Sequence, residues 1–342
     1  MADVGIYTDF TVLNPEYHSG QIEFLARNLN LFNSASRNAI RLGSNTLEGL
    51  YERKSFFNHS VDDLVQRRNP LLDSAVDDAN FEQEDHYAIK LNRRIGPIAH
   101  TLDSWRKIGK TPQLMSYIFG QKAGEAKLAD SVDTILTALD AGIQGVSTSS
   151  GVYDLVYDAK NVGTTDTGLM CASFLAEGMS KLGDNYSKIA CWVMHSKPFF
   201  DLIKGQITDN IFGISNLVIM GGTPATLGRP VIVMDSASLK EDAASGVSAY
   251  ETSYKTFGLV SDAASVLETE TETIVSEVVT GKENLIGRIQ GEYAVNIGMK
   301  GISYKYGTGG ANPTIAAIGT TTNWERVANS VKDCPGIVIE SR

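Results

Sequence analysis

The pattern of hydrophobic and polar positions divides the chain near Gly145. Before that point the clearest period is helical: Leu128, Val132, Ile135, Leu136, Leu139 and Ile143 fall at i, i+4, i+7, i+8, i+11 and i+15. This spacing draws one apolar stripe and predicts a core-facing helix from about Pro112 to Ile143. Thr111 stands where an N-cap hydroxyl is wanted, and Pro112 suits a first helical turn, whose N–H has no partner in any case. A second period, of two, runs through Tyr87, Ile89 and Leu91, which alternate with Ala88, Lys90 and Asn92 and predict a half-buried strand. That strand lies in a stretch, from about Glu52 to Lys110, crowded with charges of both signs. The reading is a long polar hairpin, with arms near 53–66 and 84–95 and a tip at Asn69 and Pro70. An isolated hairpin is marginal in water, so this one is expected to lie against another surface, such as that of a neighbouring subunit.

The first fifty residues carry Asn, Ser and Gly at short intervals with little apolar periodicity, and predict an arm that finds its packing partner elsewhere. Beyond Gly145 a Ser, Thr and Gly rich link (GVSTSSG) leads into a short alternating run (VYDLVYD) and then a second domain. There CWVMHSKPFFDLIKGQI predicts a buried strand through Trp192, Val193 and Met194 followed by a helix. NLVIMGGTPATLGRPVIVMD predicts two apolar strands around a turn; GISYKYG and GIVIES predict short strands flanking a loop and a helix near Trp324.

Composition narrows the class. With 42% hydrophobic and 20% charged residues, the chain of 342 residues can bury a sizeable core. No apolar run approaches the roughly 20 residues that cross a bilayer, and the start lacks the order of a signal peptide, so the expectation is a protein assembled in a cytoplasm with no membrane partner. The formal net charge of -10 gives no basic face for a direct electrostatic grip on nucleic acid. Ten acids against three bases between 241 and 292 concentrate the acidity, and they read as a solvated face.

The search for chemistry returns little. There is no phosphate-binding loop, no zinc-protease helix and no serine elbow, and GTGG at Gly307 reads as a turn. Cys171, Cys191 and Cys334 are widely spaced and read as small core residues; His18, His59, His86, His100 and His195 form no cluster. Cys191 and His195 could be a nucleophile and base, but as residues i and i+4 of one strand they lie too far apart for a hydrogen bond. Ser104 to Lys107 matches Ser-x-x-Lys without its companion motifs. The adjacent pairs Asp62 with Asp63 and Asp77 with Asp78 read as surface charge. No catalytic residue, cofactor or metal is expected.

Three segments resemble the major capsid proteins of tailed phages. CWVMHSKPFFDLIK, Cys191 to Lys204, resembles a strand and helix of that family, and LGRPVIVMD, Leu227 to Asp235, resembles its next core strand. NPTIAAIGTTTNWERVANSVKDCPGIVIES, Asn312 to Ser341, resembles the family's Asn-Pro-Thr, Asn-Trp and Val-Lys-Asp ending, with Ile315 and Cys334 where an Asp and a Thr often stand. The resemblance covers about residues 190 to 342, and the first half agrees in layout.

It implies an α+β fold of the Hong Kong ninety-seven capsid type. The layout would be an N-terminal arm over 1–52, an extended loop over 53–110, a spine helix of the peripheral domain over 111–149 and an axial domain over 150–295. Residues 296–342 would return as strands to the peripheral sheet and the axial core. It also implies hexamers and pentamers of the chain in an icosahedral head, and a precursor shell that expands as double-stranded DNA is packaged. The implied partners are a separate scaffolding protein, a portal protein at one vertex, and a decoration protein in some relatives. Mixed-sign charge on Arg67, Arg68, Asp77, Asp78, Arg93 and Arg94 makes these residues candidates for contacts between subunits that fix register. Lys90 is expected to make no covalent cross-link. An encapsulin-like compartment is the rival reading, and a Cys and His hydrolase a distant one.

Overall fold

The computed structural model describes residues 6–45, 49, 51–58, 70–71, 82–101, 112–147, 155–160, 168–211, 226–241, 252–281 and 283–342. Among them the chain opens with helix α1 (Ile6–Ala35), strands β1 (Ile40–Ser44), β2 (Tyr51–Asn58) and β3 (Glu82–Thr101), and the long helix α2 (Pro112–Ser147). Strand β4 (Val156–Asp158), helix α3 (Ala172–Ser180), strand β5 (Ile189–Met194) and helix α4 (Ser196–Ile211) follow. Then come β6 (Val231–Val233), β7 (Lys240–Glu241), β8 (Ser253–Val260), β9 (Ala264–Val279), β10 (Ile286–Met299), β11 (Ile302–Tyr304), β12 (Trp324–Arg326) and β13 (Gly336–Ser341).

The strands make two sheets. In the first, β1 runs parallel to β9, β9 pairs antiparallel with β10, β10 with β3 and β3 with β2, while β11 and β12 extend the end of β10. The second has the order β4-β13-β8-β5-β6, with β7 beside β8. Strand β5 is buried at all six positions, as its unbroken apolar sequence requires of a strand covered on both faces. Trp192, Phe257 and Ile337 centre this second core.

Helix α2 lies between the sheets. Its predicted stripe is the buried one: Val132, Ile135, Leu136, Leu139 and Ile143 are all within 3% of full burial. The helix runs one turn past the expected end; Thr111 lies outside the described residues. The hairpin forms as β2 against β3, with Tyr51 opposite Ile89 and Asn58 opposite Glu82. Of the expected arms and tip, 59–69 lie outside the described residues, as do 72–81 and 102–110 of the extended loop, 148–151 of the link, whose first three residues end α2, and the first apolar strand of NLVIMGGTPATLGRPVIVMD.

Three expectations change. The first fifty residues are not a bare arm: α1 packs on α2, and β1 joins the first sheet. The docking face of α1 passes through Tyr17, Gly20, Gln21 and Phe24 and continues to Leu29 and Phe32, so glycine and an amide interrupt its apolar period and weaken the hydrophobic pattern. Residues 264–295, placed by sequence in one unit with 150–263, pair instead with β1 and β3 of the first sheet. Strand pattern records burial and not the identity of the neighbouring strand. The helix expected near Trp324 is split into the one-turn helix Ile315–Ile318 and the tighter turn Thr321–Asn323, which leads into β12, and the indole N–H donates to the Ile318 carbonyl at 2.8 Å.

Candidate functional site

The polar side chains of the interior gather along α2. Its face toward the first sheet carries Lys127, Asp130 and Thr134. Lys127 reaches Glu268 at 2.8 Å and Glu272 at 3.5 Å on β9, and its ammonium sits 4.4 Å from the centre of the Tyr293 ring. From α1, Tyr17 donates to Glu272 at 3.3 Å and the Gln21 amide donates to the same carboxylate. Burial, and then the Glu272 charge, push the Tyr17 phenol well above its ordinary pKa.

One turn on, α2 meets the hairpin. Arg93 lies 3.0 Å from the Asp130 carboxylate and donates to the Thr134 hydroxyl at 3.0 Å. The other polar face of α2 holds the second sheet. Asp133 accepts from Ser236 and, at 2.8 Å, from Ser238, Thr137 contacts Ser238 at 2.9 Å, and Asp140 pairs with Lys255 at 2.7 Å. Burial raises the Asp140 carboxyl pKa against the pull of Lys255.

Two bulges in β9 explain how three glutamates at a spacing of two serve opposite faces. In an unbroken strand Glu268, Glu270 and Glu272 would point the same way. The pairing with β10 shifts between Glu292 and Ala294 and again between Ala294 and Val295. Each shift adds a residue to β9 and turns the next side chain over. Glu268 and Glu272 therefore face Lys127, and Glu270 meets Lys90 of β3 at 2.6 Å. Part of the acidic run read as a solvated face is thus interior: Glu272 is 8% exposed.

The root of the hairpin is anchored to its own chain. His86 Nε2 lies 2.9 Å from the Met299 carbonyl and 3.0 Å from that of Ile302, so this nitrogen carries the proton and donates. The Tyr87 N–H donates to Ser303 at 2.9 Å, Tyr306 donates to the Ala88 carbonyl at 2.8 Å, and Asn296 donates to Glu52. Tyr51, Tyr87 and Tyr306 stack with ring centres 4.9 to 5.8 Å apart. Further out, Arg53 pairs with Asp85 across the hairpin and, with Ser55, holds the Asp85 carboxyl below its ordinary pKa.

Of the candidate contact residues, Arg93 is engaged within the chain, and Arg94 is exposed opposite Glu292 on β10. Arg67, Arg68, Asp77 and Asp78 lie outside the described residues, as do Asp62, Asp63, His59 and Ser104 to Lys107. The Lys90 ammonium is held by Glu270 and the Gly49 carbonyl, the latter at 2.8 Å. Cys191 is fully buried, and burial pushes its thiol up to about 12. His195 turns away to Asp235 at 3.4 Å and stacks on Tyr254. A thiol that burial holds neutral, with His195 turned away from it, is not an activated nucleophile. The α2 contacts with Lys127 and Asp133 escaped the sequence reading; the alternating ETETE of β9 was the one signal of a strand bringing acids to that helix.

These features describe a chain held together internally by one braced helix, with charge and strand left over at its periphery. No curated protein matches it in sequence. In structure it is similar to the capsid of Ralstonia phage GP4, at 11% identity and a TM-score of 0.46 over 89% of this chain and 87% of that one. The Cyanophage Pam1 capsid asymmetric unit gives 10%, 0.48 and 88% of each chain. The acidic stable capsid of Helicobacter pylori bacteriophage KHP30 gives 8%, 0.49, and 90% and 89%. Residues 9–338 match the model of the family described as major capsid protein 13-like, nearly the whole length, and the chain belongs to this Gp13-like family of major capsid proteins.

Proposed function

We propose that this major capsid protein forms hexamers and pentamers that close into the icosahedral head of a tailed phage around double-stranded DNA, with a precursor shell that expands on packaging. The observation that carries the reading is the family match over residues 9–338. The hairpin supports it: β2 and β3 extend from the first sheet with Arg53, Lys54 and Ser55 exposed, the form of an element made to lie on another subunit. In this reading α2 is the spine of the Hong Kong ninety-seven type fold, the first sheet is peripheral and the second axial. Arg67, Arg68, Asp77, Asp78 and Arg94 contact neighbours. Arg93 is a weaker candidate, because Asp130 already holds it.

The partners proposed are further copies of the chain, a separate scaffolding protein, a portal protein at one vertex and, on the outer surface, a decoration protein. DNA is enclosed without sequence-specific contact, and assembly takes place in the host cytoplasm. No observation favours the encapsulin reading over this one.

Sedimentation velocity and negative-stain imaging of the protein, expressed with and without its scaffolding protein, test the proposal. Closed shells or ring-shaped capsomers are expected; a monodisperse monomer or dimer under both conditions would overturn it.

A further inference from the structure

The first sheet has outer edges of different kinds. Beyond its pairing with β2, the edge of β3 carries Pro97, which has no N–H to offer, and the Asn312 side chain already takes the Asn92 N–H at 3.0 Å. The edge of β9 has no such protection. β1 covers it from Ala264 to Glu268 only, where the Asn45 N–H closes on the Glu268 carbonyl at 2.8 Å. By Tyr51 the chain is in β2, paired with β3 on the far side of β10. Residues 270–279 therefore have β10 on one side and, among the described residues, no strand on the other. The run contains neither proline nor glycine and is rich in β-branched side chains, and Val275 is 63% exposed. Beyond the bulge at Glu270–Thr273, an uncovered edge of this composition is a template for another strand.

We infer that this edge is an interface between two copies of the chain, which pair β9 to β9, antiparallel, about a two-fold axis normal to the sheet. The inference rests on the self-assembly proposed above. Symmetry and charge each restrict the register. Opposing residues of an antiparallel pair share a face, and a two-fold normal to the sheet preserves faces, so the axis passes through a residue and not between two. An axis between Thr273 and Ile274 would set Glu270 against Glu277, and one between Ile274 and Val275 would set Glu272 against Glu277, like charges that destabilise a cross-strand pair. An axis at Ile274 sets Glu277 against Thr271 and Glu272 against Ser276. An axis at Val275 sets Glu277 against Thr273 and Glu272 against Val278. Neither brings two acids together, whereas the axes at Thr271, Glu272 or Glu277 that symmetry also allows would, so charge favours the two registers centred on the uncovered run.

Single cysteines test this, because at the axis a residue faces its own copy. Ile274→Cys and Val275→Cys, each in a Cys171→Ser background, are assembled into shells and oxidised with diamide, and one of the two is expected to give a disulfide-linked dimer on a non-reducing gel. Val275→Glu changes an exposed residue, leaves the subunit folded by circular dichroism, and is expected to lower shell yield about tenfold through like-charge contact at the axis. Normal assembly of Val275→Glu together with no dimer from either cysteine would overturn the inference. So would dimers that form only when β2 also carries Lys54→Cys, which would assign the edge to a head-to-tail contact with the hairpin. If the unaltered chain forms neither shells nor capsomers, the assembly proposal falls and this one with it; shells without β9 cross-links remove this one alone.

Discussion

Lys127 is the residue on which the interior charges converge. Its side chain is 8% exposed and faces two carboxylates, one of them also bound by Tyr17 and Gln21. Removing one partner from a buried ionic cluster leaves the other charges desolvated and unmatched, which costs about 3–5 kcal/mol. Lys127→Ala should therefore lower the stability of the unassembled subunit by about that amount in urea unfolding. Adding Glu272→Gln to Lys127→Ala should recover part of the loss, because it removes one of the stranded charges. Cysteine reactivity is decided at the same scale. With thiols pushed up to about 12, Cys191 and Cys334 hold only about one thiolate in 10,000 at pH 8. Cys171 is only half-buried. Iodoacetamide treatment of the native subunit followed by peptide mass spectrometry should find Cys171 labelled and the other two labelled only after denaturation.

Among the elements, α1 depends on glycine for its placement against α2. A Cβ on Gly120 would stand 2.0 Å from the Tyr17 carbonyl oxygen, and one on Gly20 would stand 2.4 Å from the Tyr117 carbonyl oxygen. The two helices touch backbone to backbone, and neither position can hold a side chain without parting them. Gly120→Ala gains about 1 kcal/mol of helix propensity in α2 but loses this contact. The expected net effect is release of α1, read as faster hydrogen exchange and earlier proteolysis over residues 6–35 with α2 protected as before. The same contact explains why α1 is weakly marked in the sequence. Periodicity detects unbroken rows of Leu, Ile and Val, as it does for Val132, Ile135 and Leu139 of α2, whereas on α1 Gly20 and Gln21 interrupt the row that Tyr17, Phe24, Leu29 and Phe32 would make. The hairpin was legible for the opposite reason: Tyr87, Ile89 and Leu91 alternate plainly with polar neighbours.

At the scale of the whole molecule, α2 fastens both sheets. Lys127, Asp130 and Thr134 hold the first; Asp133, Thr137 and Asp140 hold the second. Asp133→Ala removes the acceptor shared by Ser236 and Ser238, costs about 1–3 kcal/mol and should raise hydrogen exchange over 234–239 while leaving β9 and β10 unchanged. Faster exchange in both sheets would instead mean that the brace is a single cooperative unit.

The sequence by itself determined the elements whose burial is written in apolar residues: the stripe of α2, the continuous run of β5, the alternation of β3 and the closing strand β13. It also carried the family resemblance, through Met194 to Lys197, Asn323 with Trp324, and Val331 to Asp333. The tertiary structure decided which strand lies beside which, and so moved 264–295 into the first sheet. It decided that α1 docks through glycine, and that bulges turn Glu272 inward while Glu270 faces Lys90. Local pattern reports whether a side chain is buried. The partner that buries it is set by contacts between residues far apart in the chain, to which a period of 2 or 3.6 is blind.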